Sequence, residues 1–371
     1  MQISHLVDNI LRILPVSILL AGGCGDQGVS APEHDSSSQS VNMYTTRPNG
    51  TGIHVGSTQP ESWFGLSSVS LAWYMTGFSQ HSDGTWWATG WYSVAVGVLP
   101  AEAQVTGAQL GGVTKQVRQI RTTGSQLSID LADSQNNLQT VQGSALAGLV
   151  LTLRVPNLLG LTYTNYRLRI NTVESVDSQF GDVNGYQIDY IQDGLLGASW
   201  ASYCRGSSGE SQRSVFYQGA QWHPLNAARS EGSGLVTMTC ESGSVAKCMS
   251  WGYRPWVSAG QGDPASSLDY HQACIHMKRA SYCGDSQAHT VDGTQIIISD
   301  TQSPQVNSGS LDNIEALWGP TGASCLTNRR HPELPFLGCP LPLPACPAQP
   351  GGGYLIADAL PGPGSLLGVI D

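Results

Sequence analysis

Histidines and aspartates concentrate between residues 271 and 300, where they could do acid–base chemistry or bind a metal. They are His271, His276, His289, Asp285, Asp292 and Asp300. Such a set can transfer protons or ligate a metal ion. On a helix, however, His271 and His276 are rotated by about 500° and diverge, whereas a zinc-binding helix spaces its histidines by four. The pattern therefore favours structural histidines, and the remaining catalytic candidates are His271, His289, Asp285 and Asp292.

No other catalytic pattern is complete. Gly197-Ala-Ser-Trp-Ala201 lacks the second glycine of a nucleophile elbow, and residues 182–193 lack the glycine of a calcium loop. No phosphate-binding or dinucleotide-binding glycine motif is present. The sequence thus predicts no cofactor and no metal, and it favours a non-enzymatic role. The alternative is an exported hydrolase or a metal-dependent enzyme that uses the His/Asp set.

Two aromatic clusters are candidates for ligand recognition. One contains Trp86, Trp87 and Trp91, and the other contains Trp251 and Trp256. In a strand, Trp87 and Trp91 share one face while Trp86 lies on the other, so aromatic side chains occupy both faces. Core packing is the simpler interpretation for these residues. The alternative is a surface that stacks sugars or binds a protein partner.

The nine cysteines divide by position into one and eight. Cys24 lies alone, and the other eight are Cys204, Cys240, Cys248, Cys274, Cys283, Cys325, Cys339 and Cys346. An even number in an exported chain predicts up to four disulfides, and the lack of a Cys-x-x-Cys pair argues against zinc. The connectivity stays open. Two local pairs are candidates, Cys274 with Cys283 and Cys339 with Cys346.

Residues 1–23 have the features of a bacterial export signal. The apolar run at 13–20 is shorter than the roughly 20 residues of a spanning helix, and small residues then lead into Cys24. This order resembles a lipobox, in which the cysteine becomes the lipidated N-terminus. Gly25 in the next position implies delivery to the outer membrane, cell surface or periplasm. The alternative is an ordinary signal that is cleaved elsewhere.

Composition restricts the partners. The net charge of −10 and a lysine count of three argue against binding to nucleic acid or to anionic lipid. Ten Trp and thirteen Tyr, with only 12% charged residues, exclude a disordered chain. The partners we expect are the membrane, through a lipid on Cys24, and an envelope glycan or protein.

The elements that carry these residues are predicted to be mostly strands. Residues 49–200 are rich in β-branched and aromatic residues, and the stretches 166–173 and 186–191 alternate with a period of two. One clear helix is predicted to begin at Asp263-Pro264 and to end before Gly284. The Pro/Gly-rich tail from residue 333 is predicted to form neither helix nor central strand. The fold class is therefore mainly β or α+β.

The cysteine-rich half resembles a known family. Its motifs, in order, are Trp251-Gly-Tyr-Arg-Pro-Trp256, His271-Gln-Ala-Cys274, Ala280-Ser-Tyr-Cys283 and Glu315-Ala-Leu-Trp318. They resemble the ADYC domain, found in exported proteins of myxobacteria and their relatives, over about residues 141–332. The chain departs from the family in its name-giving motif, where Ser281 replaces Asp. The resemblance implies an exported protein and no particular reaction.

Together these features predict a cell-envelope lipoprotein with a binding or structural role at the bacterial surface. We expect a signal peptide at 1–23, a flexible tether at 24–48 and a β-rich domain at 49–140. A disulfide-rich α+β domain at 141–332 and the tail at 333–371 complete the chain.

Overall fold

The computed structural model describes most of the chain between residues 46 and 359. The described ranges are 46–48, 72–94, 97–157, 160–194, 196–205, 210–223, 227–258, 260, 263, 265–285, 287–290, 294–302, 304–309, 314–348 and 355–359. The predicted signal peptide, Cys24 and Asp292 lie outside the described residues.

Strands dominate the described residues, which confirms the predicted fold class. The strands are β1 Thr46–Pro48, β2 Ala72–Gln80, β3 Trp86–Val94, β4 Gly97–Leu110, β5 Val113–Thr123, β6 Gln126–Ala132, β7 Leu138–Gln142, β8 Val150–Pro156, β9 Tyr163–Ser175, β10 Asn184–Gln192, β11 Ala201–Ser202, β12 Cys204–Arg205, β13 Ser211–Gln212, β14 Ser214–Trp222, β15 Arg229–Cys240, β16 Gln295–Asp300, β17 Ile314–Gly319, β18 Gly322–Leu326 and β19 Leu355–Ala359. The helices are α1 Ser244–Ser250 and α2 Ser267–Arg279, and a 3-10 turn spans Gly143–Leu146.

Eight antiparallel strands pair into a closed ring in the order β3-β2-β15-β14-β10-β9-β8-β4, and β4 pairs back with β3. The long strand β4 makes this closure possible, because its first half pairs with β3 and its second half with β8 and β5. Because β4 and β8 lie on opposite sides of residue 140, the sheet is continuous across the domain boundary expected there.

One face of this sheet carries the first hydrophobic core. Alternate residues of the strands point to it, including Trp73, Phe78, Tyr186 and Phe216, all of which are buried. The hairpins β5–β6–β7 add Ile120, Leu127, Ile129, Leu131 and Val141 to the same core. Gly77 is required at a bulge of β2, because a Cβ there would lie 1.9 Å from the Val236 carbonyl oxygen of β15.

The opposite face of β14 carries a second core. Val215 and Tyr217 alternate with Phe216 and pack with α1, α2 and the second sheet. That sheet has the order β1-β16-β19-β17-β18. The prediction that the tail forms no central strand is wrong for residues 355–359, because β19 lies between β16 and β17. The apolar side chains of Leu355 and Ala357 drive this insertion, since both are fully buried.

The predicted helix forms as α2, but its boundaries differ. Ser266 is the N-cap and makes a capping box with Asp269, whereas Asp263 accepts a hydrogen bond from the Ala265 amide before the helix begins. The helix ends at Ala280, whose backbone is left-handed. The sequence did not indicate α1, which is only seven residues long. Neither helix of the described chain has the length and apolarity needed to cross a membrane.

All eight cysteines of the second half form disulfides, which confirms the predicted framework. The pairs are Cys204–Cys240, Cys248–Cys274, Cys283–Cys339 and Cys325–Cys346. Both local candidate pairs are therefore wrong. Cys339 and Cys346 instead bond to partners in different segments, Cys283 after α2 and Cys325 of β18. Cys274 lies within α2 and pairs with Cys248 of α1.

Disulfide mapping tests this connectivity. We expect that non-reducing digestion of the exported protein yields these four crosslinked pairs and that none of the eight thiols reacts with an alkylating reagent before reduction. Recovery of a peptide linking Cys339 to Cys346, or alkylation of two or more of these cysteines in the native protein, would contradict the structure.

Candidate functional site

His271 lies in the centre of the second core, away from solvent. Its Nε2 donates a hydrogen bond to the Val245 carbonyl of α1 at 3.0 Å, and its ring packs against Trp222. Nδ1 has no hydrogen-bond partner among the described residues. Burial lowers the pKa of His271 to about 4, because protonation would place a charge and an unsatisfied N–H in this core. The side chain is therefore neutral and structural.

His289 occupies different surroundings from His271. Its ring stacks on Tyr282 and meets the edge of Phe336. Burial lowers its pKa, and the nearby Asp285 carboxylate partly opposes this shift. No hydrogen bond or ion pair of the described chain joins His271, His289 and Asp285. The structure thus places Asp285 near His289 but gives His271 different neighbours, Val245 and Trp222.

The described residues also contain no cluster of side chains that could bind a metal ion. No group of three or more His, Cys, Asp or Glu side chains converges among the described residues. The remaining histidine of α2, His276, is buried and accepts a hydrogen bond from the Gln272 amide at 3.0 Å. Burial, with a smaller effect of Arg279, lowers its pKa to about 4.

The predicted aromatic residues separate into core and surface. Trp86 and Trp251 are buried, and the Trp86 indole donates to the Arg118 carbonyl at 3.2 Å. Trp256 packs on Tyr217 and against Gly124. By contrast, Trp87 and Trp91 are only partly buried.

Trp87 and Trp91 lie on the outer face of β3, as their shared parity predicts. The ring of His81 stacks on Trp87 with 4.8 Å between centroids, and His223 meets the edge of Trp91. Because both indoles keep partial exposure, this face remains available for ligand recognition.

Polar groups surround Trp87 on this outer face. The exposed Glu102 carboxylate accepts hydrogen bonds from the Ser79 hydroxyl and from His81 Nε2, both at 3.0 Å. Sequence reasoning missed Glu102 and His81. The Asp83-Gly84 hairpin signal, which forms the predicted turn between β2 and β3, would have placed Ser79 opposite Trp87 and brought His81 near it.

The tetrapeptide Ala280-Ser-Tyr-Cys283 leads the chain out of α2 into the core. The hydroxyl of Ser281 donates to the Asp285 carbonyl at 2.8 Å, and Cys283 is bonded to Cys339. Ser281 and Tyr282 are both buried. This arrangement gives the tetrapeptide a packing role.

Tyr282 joins a buried ion pair between Glu315 of β17 and Arg330. The guanidinium of Arg330 contacts Glu315 Oε2 through two nitrogens at 3.0 Å, and the side chains are at most 1% exposed. The Tyr282 hydroxyl donates to Glu315 Oε1 at 2.8 Å and accepts the Arg330 amide at 3.0 Å. Burial and the Glu315 charge raise the pKa of Tyr282, so the phenol keeps its proton.

A comparison with protein-family models matches the ADYC domain over residues 143–332, just over half of the chain. The chain belongs to the ADYC domain family. The matched range spans β8 to β18 and contains both helices and the tetrapeptide. No curated protein and no solved structure matches the chain.

Within the ADYC domain, Ser281 stands where the family motif has Asp. Here the buried hydroxyl satisfies the Asp285 carbonyl of the turn that follows α2. A side chain in this position does not meet a substrate in solution. In this chain the tetrapeptide therefore has a structural role. Tyr282 bonds to Glu315 and Arg330, and Cys283 bonds to Cys339, which together fix the chain after α2.

The buried histidines predict a specific acid sensitivity. Because the folded pKa of His271 and His276 is lower than the unfolded value of about 6.5, the unfolded chain binds protons first as pH falls. Titration of these histidines therefore does not change the free energy of unfolding above about pH 6.5 and decreases it between that pH and about pH 4. At pH 5, each histidine should lower the free energy of unfolding by about 2 kcal/mol relative to pH 8.

Urea unfolding at pH 8 and pH 5 measures this effect. We expect H271L to lose part of the pH dependence of the wild type, even if the variant is less stable at pH 8. I275A, which removes buried apolar atoms from the same helix but no titratable group, should be less stable and should keep the full pH dependence. An H271L profile parallel to the wild type would show that His271 does not titrate as the buried geometry requires.

The buried ion pair gives a second prediction. E315Q leaves the Arg330 guanidinium buried without its countercharge, so the free energy of unfolding should fall by about 3–5 kcal/mol. The matched control is D193N, which breaks the partly exposed pair with Arg167 and should cost less than about 1 kcal/mol. Equal losses for the two variants in urea titrations would refute the role given to Glu315.

Proposed function

We propose that this protein is an exported, lipid-anchored envelope protein with a non-enzymatic binding role. The sequence features of residues 1–24 support export and acylation of Cys24. The four disulfides of the ADYC-containing half support an oxidising compartment, because such bonds are rarely kept in a reducing cytosol. The anchor would hold the chain at the outer membrane or cell surface, and residues 25–45, which precede β1, would act as a tether.

The observation that carries the binding role is the separation of buried and accessible groups. The described histidine candidates, His271 and His289, are both buried, and burial lowers the pKa of each, which favours the neutral imidazole. The accessible polar and aromatic groups instead collect on the outer face of β3 and β4, around Trp87 and Glu102. Partly buried indoles beside hydrogen-bonding side chains are typical of recognition surfaces.

An envelope glycan is the ligand that this face favours over a protein partner. Sugar rings present an apolar face for an indole and hydroxyls for carboxylate and amide groups. A protein interface of standard size buries about 800 Å² on each side and has an apolar centre. The outer face around Trp87 instead carries polar side chains, including the His81–Glu102 pair.

Acylation is tested by expression in a host that processes lipoproteins. We expect the intact mass of the mature chain to begin at Cys24 and to include a lipid, and we expect the protein to sediment with membranes. C24S should lack the lipid and leave the membrane fraction, whereas S36A, in the predicted tether, should behave as the wild type. A wild-type mass without acyl groups would overturn the anchoring proposal.

A further inference from the structure

The outer face around Trp87 continues across five strands as one row of side chains. The cross-strand register places Ser79, Trp87, Gln104, Arg154 and Asn165 directly opposite one another on β2, β3, β4, β8 and β9. Residues directly opposite in a sheet point to the same face. Ser79 lies at the buried end of the row, while Arg154 and Asn165 are exposed.

Arg154 is positioned to bind an anion. None of the ion pairs within the described part of the chain includes Arg154. Its guanidinium carbon lies 4.1 Å from the ring centroid of Tyr163, which is half exposed. Stacking on a ring orients the guanidinium but leaves the N–H groups at its edge available for a bidentate contact with a carboxylate.

Trp87 and Glu102 supply the part of the same site that would contact the rings and hydroxyls of a sugar. Trp87 offers an apolar surface that His81 already supports by stacking. Glu102 lies opposite Thr89, two residues along β4 from Gln104 and on the same face. Its carboxylate can accept hydrogen bonds from hydroxyls. Adjacent strands are about 4.8 Å apart, so the backbones of Trp87 and Arg154 are separated by roughly 10 Å. This span fits two sugar units better than one.

We propose that this row binds an acidic oligosaccharide, a chain that contains uronic acid units. One sugar ring packs beside Trp87 and bonds Glu102 and Gln104 through its hydroxyls, and the carboxylate of a neighbouring unit pairs with Arg154. The inference rests on the proposed binding function and adds its ligand class. It also gives a role to Arg154, an exposed arginine that forms no ion pair with the described residues.

The carboxylate contact must be local, because the net charge of −10 repels anions at long range. Glu102 lies one row away from Arg154 and is bonded to Ser79 and His81. A bound carboxylate therefore has a defined position beside Arg154. Because salt screens such a pair, the affinity for the acidic oligosaccharide should decrease as salt is added.

Calorimetric titration of the exported full-length chain tests the proposal. The probes are trigalacturonate, an alginate trisaccharide and a hyaluronan tetrasaccharide, each compared with its methyl-esterified form. We expect at least one acid form to bind, and its esterified form to bind about tenfold more weakly or worse, because a hydrogen bond to a charged group is lost. R154Q should weaken the acid form by a similar factor and leave the ester unchanged.

Two further variants distinguish the contribution of the Arg154 charge from that of the Trp87 surface. R118Q removes one exposed arginine from β5 and should bind as the wild type, whereas W87A should weaken both forms of the ligand. Circular dichroism establishes that each variant is folded. No binding of any acid probe by the wild type, or equal binding by R154Q and R118Q, would overturn the inference. Because titration uses purified protein, its result is independent of acylation, and either proposal can fail without the other.

Discussion

The architecture of the ADYC domain depends on a buried ion pair that water does not reach. Glu315 and Arg330 are held at 3.0 Å with almost no exposure, and Arg330 also donates to the Met277 carbonyl at the end of α2. A buried charge is tolerated only when its partner and hydrogen bonds are complete, so Tyr282 and the α2 carboxyl end must meet β17 in one geometry. The position of the helix on the second sheet, and hence of the second core, follows from this requirement.

The closed ring of strands separates buried side chains from accessible ones. Its inward-facing residues, such as Trp73 and Trp86, are buried with the first core, and the outer face of β14 is covered by the helices. The outer face of β3, β4, β8 and β9 carries Trp87, Gln104 and Arg154 instead. Aromatic residues on both faces of β3 are thus explained by two different surroundings, the first core for Trp86 and the partly buried outer face for Trp87.

The disulfides fix segments that contribute little packing of their own. Two of them, Cys283–Cys339 and Cys325–Cys346, connect the Pro/Gly-rich segment to the end of α2 and to β18. That segment has no regular structure across residues 333–348, yet the chain after it returns as β19 in the middle of the second sheet. These two crosslinks restrict the unfolded chain and so reduce the entropic cost of ordering such a connection.

The sequence alone determined the β-rich class, the disulfide framework, the existence of α2 and the opposite faces of Trp86 and Trp87, because each depends on composition or local periodicity. It could not determine the cysteine pairs or the central position of β19, since these depend on which distant segments pack together. The same limit applies to the histidines: His271 and His289 are close in sequence, but helix α2 and the turn after it point them into different surroundings. The row from Trp87 to Arg154 exists only through strand register, which joins residues that are 67 positions apart (154 − 87). Tertiary pairing therefore decided the candidate site, because a surface made from adjacent strands has no local signature in the chain.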